Sequence, residues 1–173
     1  MRRLVVTLGL LLIVSLPALA GGNSVIAVSV YPAVVHATLG QPVYLTVSVT
    51  NTSSTPRYVG RDVIGGLEYA VKSYSGHVLR GLSDPPAPSP APYDDEDLVW
   101  LEPGQAISFN QRLALDSLGI TSAGQFHVVA FLSGTVATEA EWQANKYGSF
   151  FSFAPEVTVF VQGSRRGAQP KKG

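Results

Sequence analysis

At 173 residues without a cysteine, the chain is long enough for one ordinary domain, and disulfide staples, thiolate metal centres and a lipid-bearing cysteine are excluded. Its twelve basic and twelve acidic side chains balance, yet Arg2 and Arg3 open the chain and Arg165, Arg166, Lys171 and Lys172 close it, so the body between is strongly acidic. Such a body excludes a nucleic-acid binder, which carries its basic patch on the fold itself, and with Met1 the sole methionine a thioether copper carrier is excluded too.

The first element is a leader. Met1-Arg2-Arg3 precedes an apolar run from Leu4 to Leu16, and Ala18-Leu19-Ala20 supplies the small residues of a cleavage site. The run is shorter than the roughly 20 residues of a spanning helix, and Pro17 interrupts it. Residues 1–20 therefore read as a signal peptide. The mature protein is expected to be exported, secreted or periplasmic, with no stable membrane insertion after cleavage.

Residues 21–162 read as one β domain. Val25 to Tyr31 alternates apolar and polar residues. Val43 to Thr50 does so most clearly, with Val43, Leu45, Val47 and Val49 on one face. Tyr58 to Ile64, Leu67 to Tyr74 and His77 to Leu82 follow as further strands, the last two separated by the Ser75-Gly76 turn. Asp84 to Asp97 then breaks the pattern: five prolines favour extended polyproline backbone and forbid a ladder, so 84–97 is an exposed insert rich in Pro and Asp. Leu98 to Leu101, Ala106 to Leu115 and Gln125 to Leu132 resume the strands. Thr138-Glu139-Ala140-Glu141 spells a capping box, predicting one or two helical turns through Trp142 toward Gly148 as a stop. In the aromatic stretch that follows, the spacing of Phe151 and Phe153 places them in the core beside Val157 and Val159, on the strand Pro155 to Val161. Residues 163–173 form a basic tail without large apolar side chains, expected to be disordered.

Four pieces of this order carry a resemblance: Leu39-Gly40-Gln41-Pro42-Val43, Val49-Thr50-Asn51-Thr52-Ser53, Leu101-Glu102-Pro103-Gly104-Gln105 and Ala123-Gly124-Gln125-Phe126-His127-Val128. From Val25 to Val161 the chain resembles a bacterial immunoglobulin-like β-sandwich domain, similar to accessory domains of secreted metalloproteases and to small proteinase-inhibitor-like domains. The resemblance implies an all-β, antiparallel sandwich of about eight or nine strands. Alternation assigns Leu45, Val47, Val49, Tyr69, Val71, Ile107, Phe109, Phe126, Val128, Ala130, Val157 and Val159 to its core.

Catalytic chemistry has little to stand on. His36, His77 and His127 sit on separate elements with no His-Glu-x-x-His spacing, and neither a Gly-x-Ser-x-Gly elbow nor a phosphate-binding glycine loop occurs. The expectation is a protein that is not an enzyme and needs no cofactor. Asp94, Asp95 and Asp97 offer hard oxygen ligands for Ca2+ without EF-hand spacing, or else form a solvated acidic loop. Asn51-Thr52-Ser53 matches a glycosylation acceptor or a polar strand-ending turn. Trp142, Tyr147 and Tyr93 are the candidate binding aromatics. The sequence thus predicts a non-catalytic binding module whose partner is another exported or surface protein. The alternatives are a secreted proteinase inhibitor acting through the 84–97 loop and a small exported hydrolase.

Overall fold

The computed structural model describes residues 25–61, 67–82 and 97–164. Residues 1–20, read above as a leader, residues 84–96 of the expected insert and residues 165–173 of the expected tail lie outside them. The described elements are β1 (Ile26–Tyr31), β2 (Val34–Thr38), β3 (Val43–Asn51), β4 (Arg57–Gly60), β5 (Leu67–Ser73), β6 (Val78–Arg80), β7 (Leu98–Leu101), β8 (Ala106–Leu113), β9 (Gly124–Ala137), α1 (Glu139–Gln143), β10 (Gly148–Phe153) and β11 (Val157–Gln162).

The alternation in β3 does what period 2 dictates, burying Val43, Leu45, Val47 and Val49 while Tyr44 stays exposed. Each buried aliphatic side chain contributes about 1.5–3 kcal/mol relative to exposure. β3 is the centre of a small antiparallel sheet in the order β1-β3-β8.

The large sheet is organised on β9, which at fourteen residues runs from the lower end of the sandwich at Gly124 to the upper end at Ala137. Its neighbours are broken strands. On one side β11 pairs with Gly124 to Val128 and β10 with Phe131 to Val136, the break falling at Ala154-Pro155-Glu156. On the other side β5 pairs with Phe126 to Leu132 and β4 with Val136 and Ala137. β6 and β7 continue outward from β5 and β4 in the same way. Eleven strand segments are described, against the eight or nine expected from the sequence; the excess comes from β2 and from the separate segment β10. β2, which was not anticipated, lies parallel to β11 at the sheet's edge.

Strand order makes this an immunoglobulin-like sandwich: β1, β3 and β8 take the places of A, B and E, while β4–β5, β9 and β10–β11 take those of C, F and G. The core forms between the sheets. Ten of the twelve expected core residues are buried; Ile107 and Phe109 are only half-buried, because β8 has no neighbour beyond β3 among the described residues.

The sandwich is closed at its margins by specific groups. The Val28 backbone N–H donates to Ser152 Oγ at 3.2 Å, joining β1 to β10 across the gap between sheets. Below, Leu115, Leu118 and Ile120 plug the core, and Arg80 Nη1 donates to the Ser117 carbonyl at 2.7 Å. Above, Asn51 has no exposed surface: its Nδ2 donates to the carbonyls of Thr55 and Leu101, both at 2.9 Å, and its Oδ1 accepts from the Ser53 backbone N–H and hydroxyl. Asn51 is thus a structural tie and no glycan acceptor, since both amide hydrogens are committed inside the fold. Gly104, at φ +78°, makes the adjoining turn and donates its N–H to the Asn51 carbonyl.

Candidate functional site

Alternation along β9 sends Phe126, Val128, Ala130, Leu132 and Val136 into the core and turns Phe131, Ser133, Thr135 and Ala137 to the outer face, where they too are buried, beneath the side chains of neighbouring elements. β10 shows the same division in the opposite phase to that expected. Phe150 and Ser152 point inward and are buried, whereas Phe151 and Phe153 are 47 % and 50 % exposed. Their assignment to the core is therefore corrected. The break at Ala154-Pro155-Glu156 puts an extra residue opposite Val129 and Ala130, so the phase read from β11 does not carry back into β10.

The displaced phenylalanines build an aromatic surface. Phe131 pairs in register with Phe153, their ring centroids 4.9 Å apart, and stacks on Phe151 at 6.1 Å with the planes 9° from parallel. Higher on the same face, Tyr58 on β4 is flanked by Trp100 on β7, edge-on at 4.6 Å, and by Trp142 on α1 at 4.7 Å. Ser133 and Thr135 lie between the two groups. Trp100 is 36 % exposed and donates its indole N–H to Glu102 Oε1 at 2.8 Å, which fixes the ring's direction.

α1 positions Trp142. Thr138 accepts the Glu141 backbone N–H at 3.2 Å, while Glu141 Oε2 accepts the Thr138 backbone N–H at 2.7 Å, completing the capping box expected from the sequence. The Thr138 backbone N–H, its hydroxyl and the more distant Arg57 guanidinium hold the Glu141 carboxyl below its usual range. The helix does not run to Gly148. It ends at Gln143, and Asn145 takes the left-handed conformation at φ +53° that glycine was expected to supply.

Of the three candidate aromatics, Trp142 belongs to this face and is half-buried, Tyr147 is half-buried in the link from α1 to β10, and Tyr93 lies outside the described residues. Asp94 and Asp95 also lie outside; Asp97 is exposed just before β7. No group of three His, Asp or Glu residues arranged to hold a metal occurs among the described residues.

The lower half of the same face is polar. His127 Nδ1 meets Glu156 Oε1 at 2.5 Å, Lys72 Nζ lies 3.3 Å from Glu156 Oε2, and Tyr74 stacks over the imidazole at 6.4 Å. His127 therefore has the carboxylate partner an acid–base group needs, but no hydroxyl hydrogen-bonds to it among the described residues. His36 stacks on Phe160 at 5.2 Å, and His77 is exposed. A separate depression of about 420 Å³ near the lower end, between Leu39–Pro42 and Arg112–Thr121, contains Arg112 and Asp116 as its charged groups.

Tyr58, Trp100 and Phe131 were not singled out from the sequence. The one available signal was Val128-Val129-Ala130-Phe131-Leu132, a continuous apolar run of the kind found where a strand is covered on both faces.

No protein-family model matches the chain, and no curated protein matches it. Among solved structures, the ASH/PapD-like domain 7 of human CEP192 is similar at a TM-score of 0.33 and 13 % identity, over 89 % of this chain and 96 % of that one. The DNA glycosylase AlkC of Pseudomonas fluorescens, bound to DNA containing an abasic site analog, is similar at a TM-score of 0.33 and 17 % identity, over 81 % of this chain and 32 % of that one. The fold assignment rests on the strand order above.

Proposed function

We propose that the protein is an exported, non-catalytic binding module that holds another exported or surface protein against the outer aromatic face of its large sheet. One observation carries this reading: Phe151 and Phe153 stand half-exposed beside Phe131 on a sheet face, where isolated folding would favour polar side chains. Aromatic rings supply large contact area at low side-chain entropy cost, which suits a binding surface. The leader supports export, and the resemblance to accessory and inhibitor-like domains makes secreted proteases one class of partner. The inhibitor alternative runs through the 84–97 loop, of which residues 84–96 lie outside the described ones, so the aromatic face carries the proposal.

The test is affinity capture with the purified protein from its own cell envelope and medium, comparing wild type with Phe151→Ser/Phe153→Ser and with Trp142→Ala. A partner retained by wild type and lost by the phenylalanine pair, at unchanged melting temperature, supports the reading. A partner retained equally by all three removes the aromatic face from it.

A further inference from the structure

Sheet edges expose rows of unpaired backbone donors and acceptors, and folds protect them by keeping edge strands short, charged, bulged or covered. In the large sheet the edge strands β2, β6 and β7 have five, three and four residues, and β10, six residues long, has its free side against β1. In the small sheet, β1 is tied to β10 through the Val28–Ser152 hydrogen bond. β8 is the exception. It runs eight residues and pairs with β3 alone among the described residues. Its sequence, Ala106-Ile107-Ser108-Phe109-Asn110-Gln111-Arg112-Leu113, contains no proline, glycine, lysine or acidic residue. The inward side chains Ile107, Phe109 and Leu113 are half-buried, while Val43, Val47 and Val49, opposite them on β3, are at most 2 % exposed.

We propose that β8 pairs antiparallel with β8 of a second copy, joining two small sheets into one continuous sheet of six strands. The register follows from the faces. Inward residues must oppose inward residues, and two overlaps of seven residues satisfy this, centred on Phe109 and on Asn110; the second is taken because it also sets Leu113 against an apolar partner. Ile107 then faces Leu113 of the second copy, Phe109 faces Gln111 and lies diagonal to the other Phe109, and each completes the burial of its neighbour. On the outer face Arg112, the strand's single charge, faces Ser108, so no like charges meet. Asn110 faces its own twin, where each amide can donate to the opposite Oδ1, the oxygen that already accepts from Thr46 Oγ1 at 2.9 Å. This self-complementarity is what selects a second copy over a foreign strand. The interface is one strand wide and small beside a standard protein–protein contact, so association is expected in the micromolar to millimolar range.

The proposal is independent of the aromatic face and is tested by sedimentation of the purified protein over that concentration range. The mass should rise from one chain to two. Amides on the outer edge of Ser108 to Arg112 should gain exchange protection as concentration rises, a reading that needs no variant. Ser108→Lys/Asn110→Lys sets lysine against lysine at the twofold axis and lysine against Arg112, and should weaken association about tenfold or more, while the loss of the exposed Thr46–Asn110 and Ser48–Ser108 hydrogen bonds lowers the melting temperature only slightly. A wild type that stays monomeric throughout, a lysine variant that associates as tightly as wild type, or a dimer abolished instead by Phe151→Ser/Phe153→Ser would each overturn the assignment.

Discussion

Asn51 and Tyr69 are both polar, both buried, and opposite in consequence. Asn51 commits its amide to the carbonyls of Thr55 and Leu101, the first of which also accepts from the Ser53 hydroxyl at 2.7 Å. Asn51→Ala should therefore cost about 2–4 kcal/mol in chemical denaturation, because the hydrogen bonds that join the two turns are lost from a fully buried site. Tyr69 packs in the core with its hydroxyl unpartnered, and burial pushes the phenol up to about 12. Tyr69→Phe should leave stability at neutral pH unchanged or slightly raised, since the hydroxyl loses nothing by removal. Because the folded pKa lies above the ordinary value near 10, the stability linked to this group is complete below pH 10 and is lost as pH climbs toward 12. Urea titrations through that window should show a shallower alkaline loss in Tyr69→Phe than in wild type. A sequence reader sees in Asn51-Thr52-Ser53 only a spelling that fits an acceptor or a turn. The deciding fact, that the Leu101 carbonyl comes to the amide from fifty residues away, exists only once the two turns meet.

At the scale of elements, what was legible followed from local chemistry. The alternation of β3, the turns at Gly40 and Gly104 and the capping box at Thr138 are each specified within a few residues. What was not legible depended on how strands neighbour one another. β10 and β11 read as one apolar stretch, and only their separate pairings with β9 reveal that Phe150 faces inward while Phe151 and Phe153 face out. Phe150→Ala should cost about 3–5 kcal/mol, whereas Phe151→Ser/Phe153→Ser should cost far less and act on binding. Helix α1 is too short to persist without its cap. Thr138→Ala should lower stability by about 1 kcal/mol and red-shift Trp142 fluorescence as the ring loosens from Tyr58. The Glu141 carboxyl sits below its usual range, so its contribution is present above that range and fades as pH falls through the lowered value. In wild type the same fluorescence shift should therefore appear on acidification.

For the molecule as a whole, the absence of cysteine leaves cohesion to the core and the ladders. The direction of those ladders matters. β1 begins at the upper end with Ile26 opposite Asn51, whereas β11 ends at the lower end with Val161 opposite Gly124. Between them β2 and β11 run parallel over five register pairs, from Val34 beside Thr158 to Thr38 beside Gln162. A pull applied at the two ends therefore drags β2 and β11 past each other along their own axes and loads the hydrogen bonds between them together, in shear, instead of peeling them apart one by one. A domain strung this way between two anchored neighbours would resist extension well beyond what its equilibrium stability suggests, because forced opening is governed by the rate at which that patch gives way. Stretched singly by its termini, the protein should yield at a high force in one sharp step, and Val35→Pro, which removes a β2 backbone donor, should lower that force more than it lowers the melting temperature.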